Sequence, residues 1–311
     1  MIAVELVIKI FVCMVVGFIL YKIKLLNDDL NAGISRIIVE VIVPFMIFAN
    51  IISISGRDVV AKSDVYSVLI IGVIIYAVLI PLSIFIVKLL RTPKHAAPVF
   101  QCMILFGNVG FLGLPIAESL YGAPGVFFMA LLNIHFNLVC FTYGIWLITK
   151  DLEKANRGSN SLLKSILNPG IISLLVALAL FLLDIRIPDL VVSPLTFVGS
   201  ITSPLSMIIL GSSIAAQSLK TIFTQWRLYA LTAIRMIIFP IIAFFLMKLI
   251  IGPGIVTSIV TFYLGTPAAV IISMFAMAYG GDKETATSGI AMMNIFCVIT
   301  IPCLYLMTAY L

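Results

Sequence analysis

Charge is what this sequence has least of. Asp, Glu, Lys and Arg make up 10% of its 311 residues, against about 25% in an ordinary soluble domain. So little charge cannot give a soluble domain of this size its hydrated surface. Histidine is scarcer still, with only His95 and His135. Two separated histidines and no cluster of acids offer neither a metal-ligand set nor a positioned nucleophile–base pair, so an intramembrane enzyme is set aside. No metal ion or cofactor is expected. The five cysteines, Cys13, Cys102, Cys140, Cys297 and Cys303, lack metal-ligand spacing and fall in apolar stretches, where they read as small hydrophobes. The sequence also lacks a phosphate-binding glycine loop, a dinucleotide fold pattern, a DNA-binding helix and a soluble signalling domain. Its net charge of +6 is therefore not a nucleic-acid signal.

Apolar sequence is abundant: 62% of residues are hydrophobic and the mean hydropathy is +1.24. A bilayer-crossing helix needs about 20 apolar residues, and the chain supplies run after run. The pattern predicts an all-α polytopic membrane protein with ten transmembrane helices, at approximately 4–25, 33–54, 64–90, 96–120, 124–149, 165–184, 190–216, 226–250, 254–280 and 285–310. Glu5 and Lys9 sit where a cleaved leader would have a basic start and an apolar core, so the first run reads as a retained span. Twelve lysines and arginines (Lys22, Lys24, Lys88, Arg91, Lys94, Lys150, Lys154, Arg157, Lys164, Lys220, Arg227, Lys283) fall in one set of loops. Four (Arg57, Lys62, Arg186, Lys248) fall in the other. This bias puts the first set, with the loop at 150–160, in the cytoplasm and both termini outside, as for a multi-pass protein of the cell membrane.

The polar stretch 151–160 reads as a cytoplasmic linker between residues 1–150 (spans one to five) and 161–311 (spans six to ten). Markers recur in the two halves. Pro44 to Pro81 is 37 residues and Pro204 to Pro240 is 36. Pro44 to Asn133 is 89, and Pro204 to Asn294 is 90. With five spans per half, a repeat must enter the membrane inverted, so the sequence predicts two inverted five-helix repeats.

Spans four and nine are broken, the first at Gly107-Asn108-Val109-Gly110-Phe111-Leu112-Gly113-Leu114-Pro115, the second at Leu264-Gly265-Thr266-Pro267. Glycine, proline and a mid-depth asparagine interrupt a helix, and the freed backbone survives in a membrane only where protein or a polar cavity covers it. Broken spans that cross near the midplane mark a solute site in secondary transporters. Thr266 is expected to cap the following half-helix with Pro267 at its first position, and Pro115 to play the same part in span four. The half-helix starts would favour an anion. No lysine or arginine lies near either break in the sequence, so an anion would be held by dipoles and amides alone.

Asn108 is a candidate for solute contact or for capping the first half-helix. Asn133 and Asn137 share one face of span five, with Asn294 in span ten as a further cavity candidate. His135 and Glu118 are candidates for proton or ion coupling, together with Asn133, although a neutral histidine ring bonded within the bundle and a wet outer carboxylate serve equally well. Arg36 and Glu40 read as an ion pair, and Lys9 and Arg235 as snorkelling or paired.

The stretch Asn108-Val109-Gly110-Phe111-Leu112-Gly113-Leu114-Pro115 resembles the signature of the auxin efflux carrier family. Asn168-Pro169-Gly170 and Phe136-Asn137-Leu138-Val139 resemble further elements of it. The resemblance runs over essentially the whole chain and implies the fold of two inverted repeats with crossed helices four and nine, similar to that of bile-acid symporters. It further implies a scaffold of spans one, two, six and seven that forms a homodimer, and an elevator-like transport domain of spans three to five and eight to ten. The implied solute is a small organic anion, with Asn108, Val109, Gly110, Pro115, Asn168, Thr266, Pro267, Asn137 and Asn294 as candidate binding residues. The chain lacks the long cytoplasmic loop of plant members and looks like a prokaryotic one. An exporter of auxin-like or other carboxylates is the leading expectation. A malate- or malonate-type permease coupled to protons or sodium, and an anion channel, are the alternatives.

Overall fold

A computed structural model describes residues 2–52, 62–155, 169–183, 185, 187–216 and 224–310. The described residues are helical, with no strand beyond one isolated bridge. In chain order they form α1 (Ile2–Lys22), α2 (Asp28–Ile37), α3 (Val43–Ile52), α4 (Lys62–Leu89), α5 (Ala97–Leu105), α6 (Leu114–Val139) and α7 (Ile145–Ala155). The second half holds α8 (Pro169–Leu182), α9 (Asp189–Ser200), α10 (Thr202–Ala216), α11 (Trp226–Ala233), α12 (Phe239–Ile250), α13 (Ile255–Gly265), α14 (Ile271–Tyr279) and α15 (Lys283–Tyr310). Four π-helical turns join consecutive helices: Ile38–Ile42, Val109–Gly113, Cys140–Gly144 and Ile234–Ile238.

Local chemistry accounts for the ends. Asn27 caps α2 by accepting the Leu30 N–H at 2.9 Å, and Asp28 and Asp29 sit in its positive first turn. Gly122, at φ 60°, divides α6 into two helices, a left-handed conformation that a residue with a Cβ adopts at a cost.

Among the described residues, six helical runs are long and apolar enough to cross a bilayer: Asp28–Ile52, Asp64–Leu89, Leu120–Lys150, Asp189–Ala216, Trp226–Ile250 and Lys283–Tyr310. Ten spans were expected. Spans one, four, six and nine are missing from this set. The breaks in four and nine leave helical pieces such as α5, of 9 residues, and α13, of 11, each too short to cross alone. Span one contributes the shorter apolar stretch Phe11–Lys22, and span six is described only over the 14 residues of α8.

The broken elements occupy the centre. All of α13 from Val256 to Gly265 is buried, as is α5 from Pro98 to Leu105 and most of the first half of α15. Helices that are apolar all round belong in an interior. Phe106 lies edge-on to Phe136, with ring centroids 5.8 Å apart, beside Tyr76 of α4. The outer helices instead expose apolar faces, Ile70, Val73, Ile74, Val78 and Phe85 on α4 and Ile242, Phe245 and Leu249 on α12. Water would make so much exposed apolar surface costly; lipid does not.

Candidate functional site

The two helix breaks meet. Helix α5 ends because Phe106 turns extended, at φ −112° and ψ 108°. Helix α13 ends because Thr266 does the same, at φ −65° and ψ 145°. Gly107 and Ala268 then form an antiparallel bridge. The Asn108 N–H donates to the Pro267 carbonyl at 2.7 Å, and the Ala269 N–H donates to the Phe106 carbonyl at 2.9 Å. Each break thereby satisfies backbone groups that the other has freed, which is what hydrocarbon depth demands.

The second half-helices leave from this junction. One starts directly after Asn108, as the π-helical turn Val109–Gly113 that leads into α6. The other starts after Val270, as α14. Both starts border one cavity of about 30 Å³, lined by Gly107 to Gly110, by Ala269 to Ile271, and by Asn133, Phe136, Asn137 and Phe141. Val43 and Met46 of α3 complete its lining. That volume has room for a water or a carboxylate oxygen, not for a whole organic acid. The first N–H groups of a helix lack intrahelical partners, so two sets of them and two positive dipole ends converge on the cavity. One buried amide donor adds to them, Asn108 Nδ2, which, like the acceptor Asn133 Oδ1, has no hydrogen-bond partner among the described residues.

Of the sequence-predicted residues, Asn108, Val109, Gly110, Asn133 and Asn137 line the cavity together. Thr266 and Pro267 lie beside it, and their expected roles are corrected. They do not start the following half-helix, which begins at Ile271. The Thr266 hydroxyl donates back to the Tyr263 carbonyl at 3.0 Å and so closes the preceding helix. The bridge to Gly107 holds the chain extended past Pro267, and this tertiary pairing overrides the local capping signal. Pro115 falls in the first turn of α6, but the π-helical turn ahead of it already carries the helix, so it does not begin the half-helix. Asn294 is buried in α15 behind the second break and bonds its own helix, Nδ2 to Ile290 O at 2.8 Å. Asn168 lies outside the described residues.

The coupling candidates other than Asn133 sit elsewhere. Glu118 is exposed on α6. The His135 Nδ1 meets the Leu131 carbonyl at 3.1 Å, which makes the nitrogen a donor, and its ring packs where Gly72 of α4 leaves space for it. Arg36 pairs with Glu40 at 2.9 Å, on the exposed side of the second span.

The expectation that no cation lies near the breaks is overturned by Arg235. It does not snorkel, and among the described residues it pairs with no acid. Its side chain is fully buried, with Nη1 donating to the Ile104 carbonyl at 2.5 Å and Nε to the Thr266 carbonyl at 3.3 Å. It thus joins the ends of α5 and α13. Tyr263 stands beside it, its hydroxyl 2.7 Å from that of Tyr76. The signal in the sequence was the presence of an arginine at mid-span, a costly feature that requires partners.

Comparison with known proteins gives the family. The profile of a family described as membrane transport protein matches residues 2–305. A protein of Methanocaldococcus jannaschii described as an uncharacterized transporter is 25% identical over 315 aligned residues, which cover 97% of each chain. A match of this extent indicates a transport protein. The chain, a multi-pass membrane protein, therefore belongs to the membrane transport protein family, the auxin-efflux-carrier-like family whose signature residues 108–115 resemble.

Proposed function

We propose that this chain is a secondary transporter of small organic anions, with the solute carboxylate held at the junction of the two breaks. One observation carries the reading: two half-helix starts, bonded to each other through Asn108–Pro267 and Phe106–Ala269, face one cavity with the Asn108, Asn133 and Asn137 amides. Converging amides and dipole ends complement a carboxylate. A cavity of only about 30 Å³ at the junction favours a carrier over a wide, continuously open pore.

The proposed architecture is ten spans in two inverted repeats, with both termini outside the cell membrane and the 151–160 linker in the cytoplasm. Helix contacts support the inversion. Span one (α1) packs on the second part of span seven (α10), and the second part of span two (α3) packs on span six (α8). A pseudo-two-fold axis that exchanges spans one with six and two with seven exchanges these two contacts. Likewise α4 packs on α5 as α12 packs on α13. Spans one, two, six and seven form the proposed homodimeric scaffold, and the remaining six move as an elevator. Val43 and Met46 line the cavity from the scaffold side, so sliding the transport domain past them would widen it to admit a whole organic acid.

Flux of labelled monocarboxylates and dicarboxylates into proteoliposomes, with and without an imposed potential, tests the reading. Saturable flux of at least one carboxylate that falls in Asn108→Ala is expected. No flux for any of them, or conductance far above carrier turnover in planar bilayers, would overturn it.

A further inference from the structure

The junction has two electrical sides. On one, the half-helix starts border the cavity. On the other, α5 and α13 end, and their last carbonyls form the negative ends of two helix dipoles. In carriers built from discontinuous helices, such C-terminal carbonyls hold a coupling sodium ion or proton. In this chain Arg235 already binds them. It lies in the π-helical turn Ile234–Ile238, midway along the run Trp226–Ile250. Its guanidinium bonds the Ile104 and Thr266 carbonyls. The third nitrogen, Nη2, is buried with no hydrogen-bond partner among the described residues. It lies against the bare α-carbon of Gly107, where a Cβ would collide with both Nη2 and the Thr266 hydroxyl. Gly107 itself lines the cavity, so the charge sits one backbone thickness from the solute position. Arginine does not give up its proton in proteins, so this charge is permanent. Its described neighbours are carbonyls and the Tyr76 and Tyr263 hydroxyls, not a carboxylate.

We propose that Arg235 is a resident cation that replaces the coupling ion. It braces the two half-helix ends as a sodium ion would, and its uncompensated charge is balanced by the transported carboxylate. The proposal rests on the transporter reading and specifies its energetics: this chain needs no sodium.

The test is a thermal melt of the purified full-length protein in NaCl, KCl and choline chloride at equal ionic strength. It needs no solute, so its failure is separate from a failure to find flux. Wild type and Arg235→Lys are expected to melt at one temperature in all three salts. Arg235→Gln opens a carbonyl-lined space and is expected to melt lower in choline chloride, regaining about 3 °C in NaCl or KCl as the free cation binds. Sodium-specific stabilisation of wild type or of Arg235→Lys overturns the proposal, as does an Arg235→Gln protein that is destabilised and indifferent to cations. If Arg235→Gln gives no folded protein, the other two decide: equal melting in all three salts upholds the proposal, and a sodium-specific rise in either overturns it.

Discussion

Asn108 is buried, and its side-chain amide nitrogen bonds nothing among the described residues. An unpaired buried donor is a cost to folding and an asset to binding. Asn108→Ala is therefore expected to leave the melting temperature nearly unchanged while weakening carboxylate transport about 10-fold, the loss of one hydrogen bond to a charged group. Asn108→Asp separates the two effects further. A carboxylate there sits at the starts of two half-helices and stabilises the fold, yet it occupies the solute's own position. Melting should rise and flux should fall below that of Asn108→Ala; a less stable Asn108→Asp protein would contradict the anion-attracting character of the cavity. His135 makes the opposite case. Its ring is bonded to Leu131 of its own helix and packed on Gly72, outside the cavity lining. His135→Gln should retain flux with an unaltered pH profile, and a profile that flattens would restore the ring to a coupling role. Asn108, Asn133 and Asn137 were legible as cavity-lining candidates because an amide at membrane depth needs a partner. Arg235 was legible only as a residue in need of one. Its partners lie 131 and 31 residues away in the chain, and nothing local in the sequence connects them.

The breaks behave as a single element. Gly107 meets Arg235 and Thr266 on one side and the cavity on the other, so a methyl group has nowhere to go. Gly107→Ala should cost about 1–3 kcal/mol by overpacking, read as a lowered denaturation midpoint in detergent. A second close approach lies in the proposed scaffold. A Cβ on Gly17 of α1 would strike the Ile208 backbone, and one on Gly211 of α10 would strike the Met14 backbone. The two glycines set one helix crossing. Gly17→Ala and Gly211→Ala should each destabilise by about 1–3 kcal/mol, and the double variant by clearly less than their sum, because the first methyl group has already pushed the helices apart. Additive losses would mean that the two sites relax independently. At this scale the sequence was explicit about where helices fail, since glycine and proline in an apolar run have few other readings. It was misleading about how they fail: Thr266-Pro267 carries the local signature of a helix start, and the pairing of Gly107 with Ala268 holds it as a helix end.

At the scale of the whole molecule, the proposed carrier and its resident cation make opposite statements about where the membrane potential acts. A monovalent anion leaving a negative-inside cell gains about 2.3 kcal/mol per 100 mV, so a complete cycle of net export is driven by the potential. Arg235 lies in span eight, within the proposed moving domain. When that domain crosses loaded, the guanidinium and the carboxylate travel as a neutral pair and the field does no work on them. When it returns empty, the guanidinium crosses alone, and an inside-negative potential draws it back toward the cytoplasm. The voltage sensitivity of net transport then resides in the empty return. Solute-for-solute exchange uses only loaded crossings and never samples that step. In proteoliposomes with a potassium diffusion potential, net efflux should accelerate or slow with the sign of the potential, whereas exchange at saturating solute on both sides should stay constant. Exchange that responds to potential as strongly as net flux would show that the cation stays fixed while the anion moves alone.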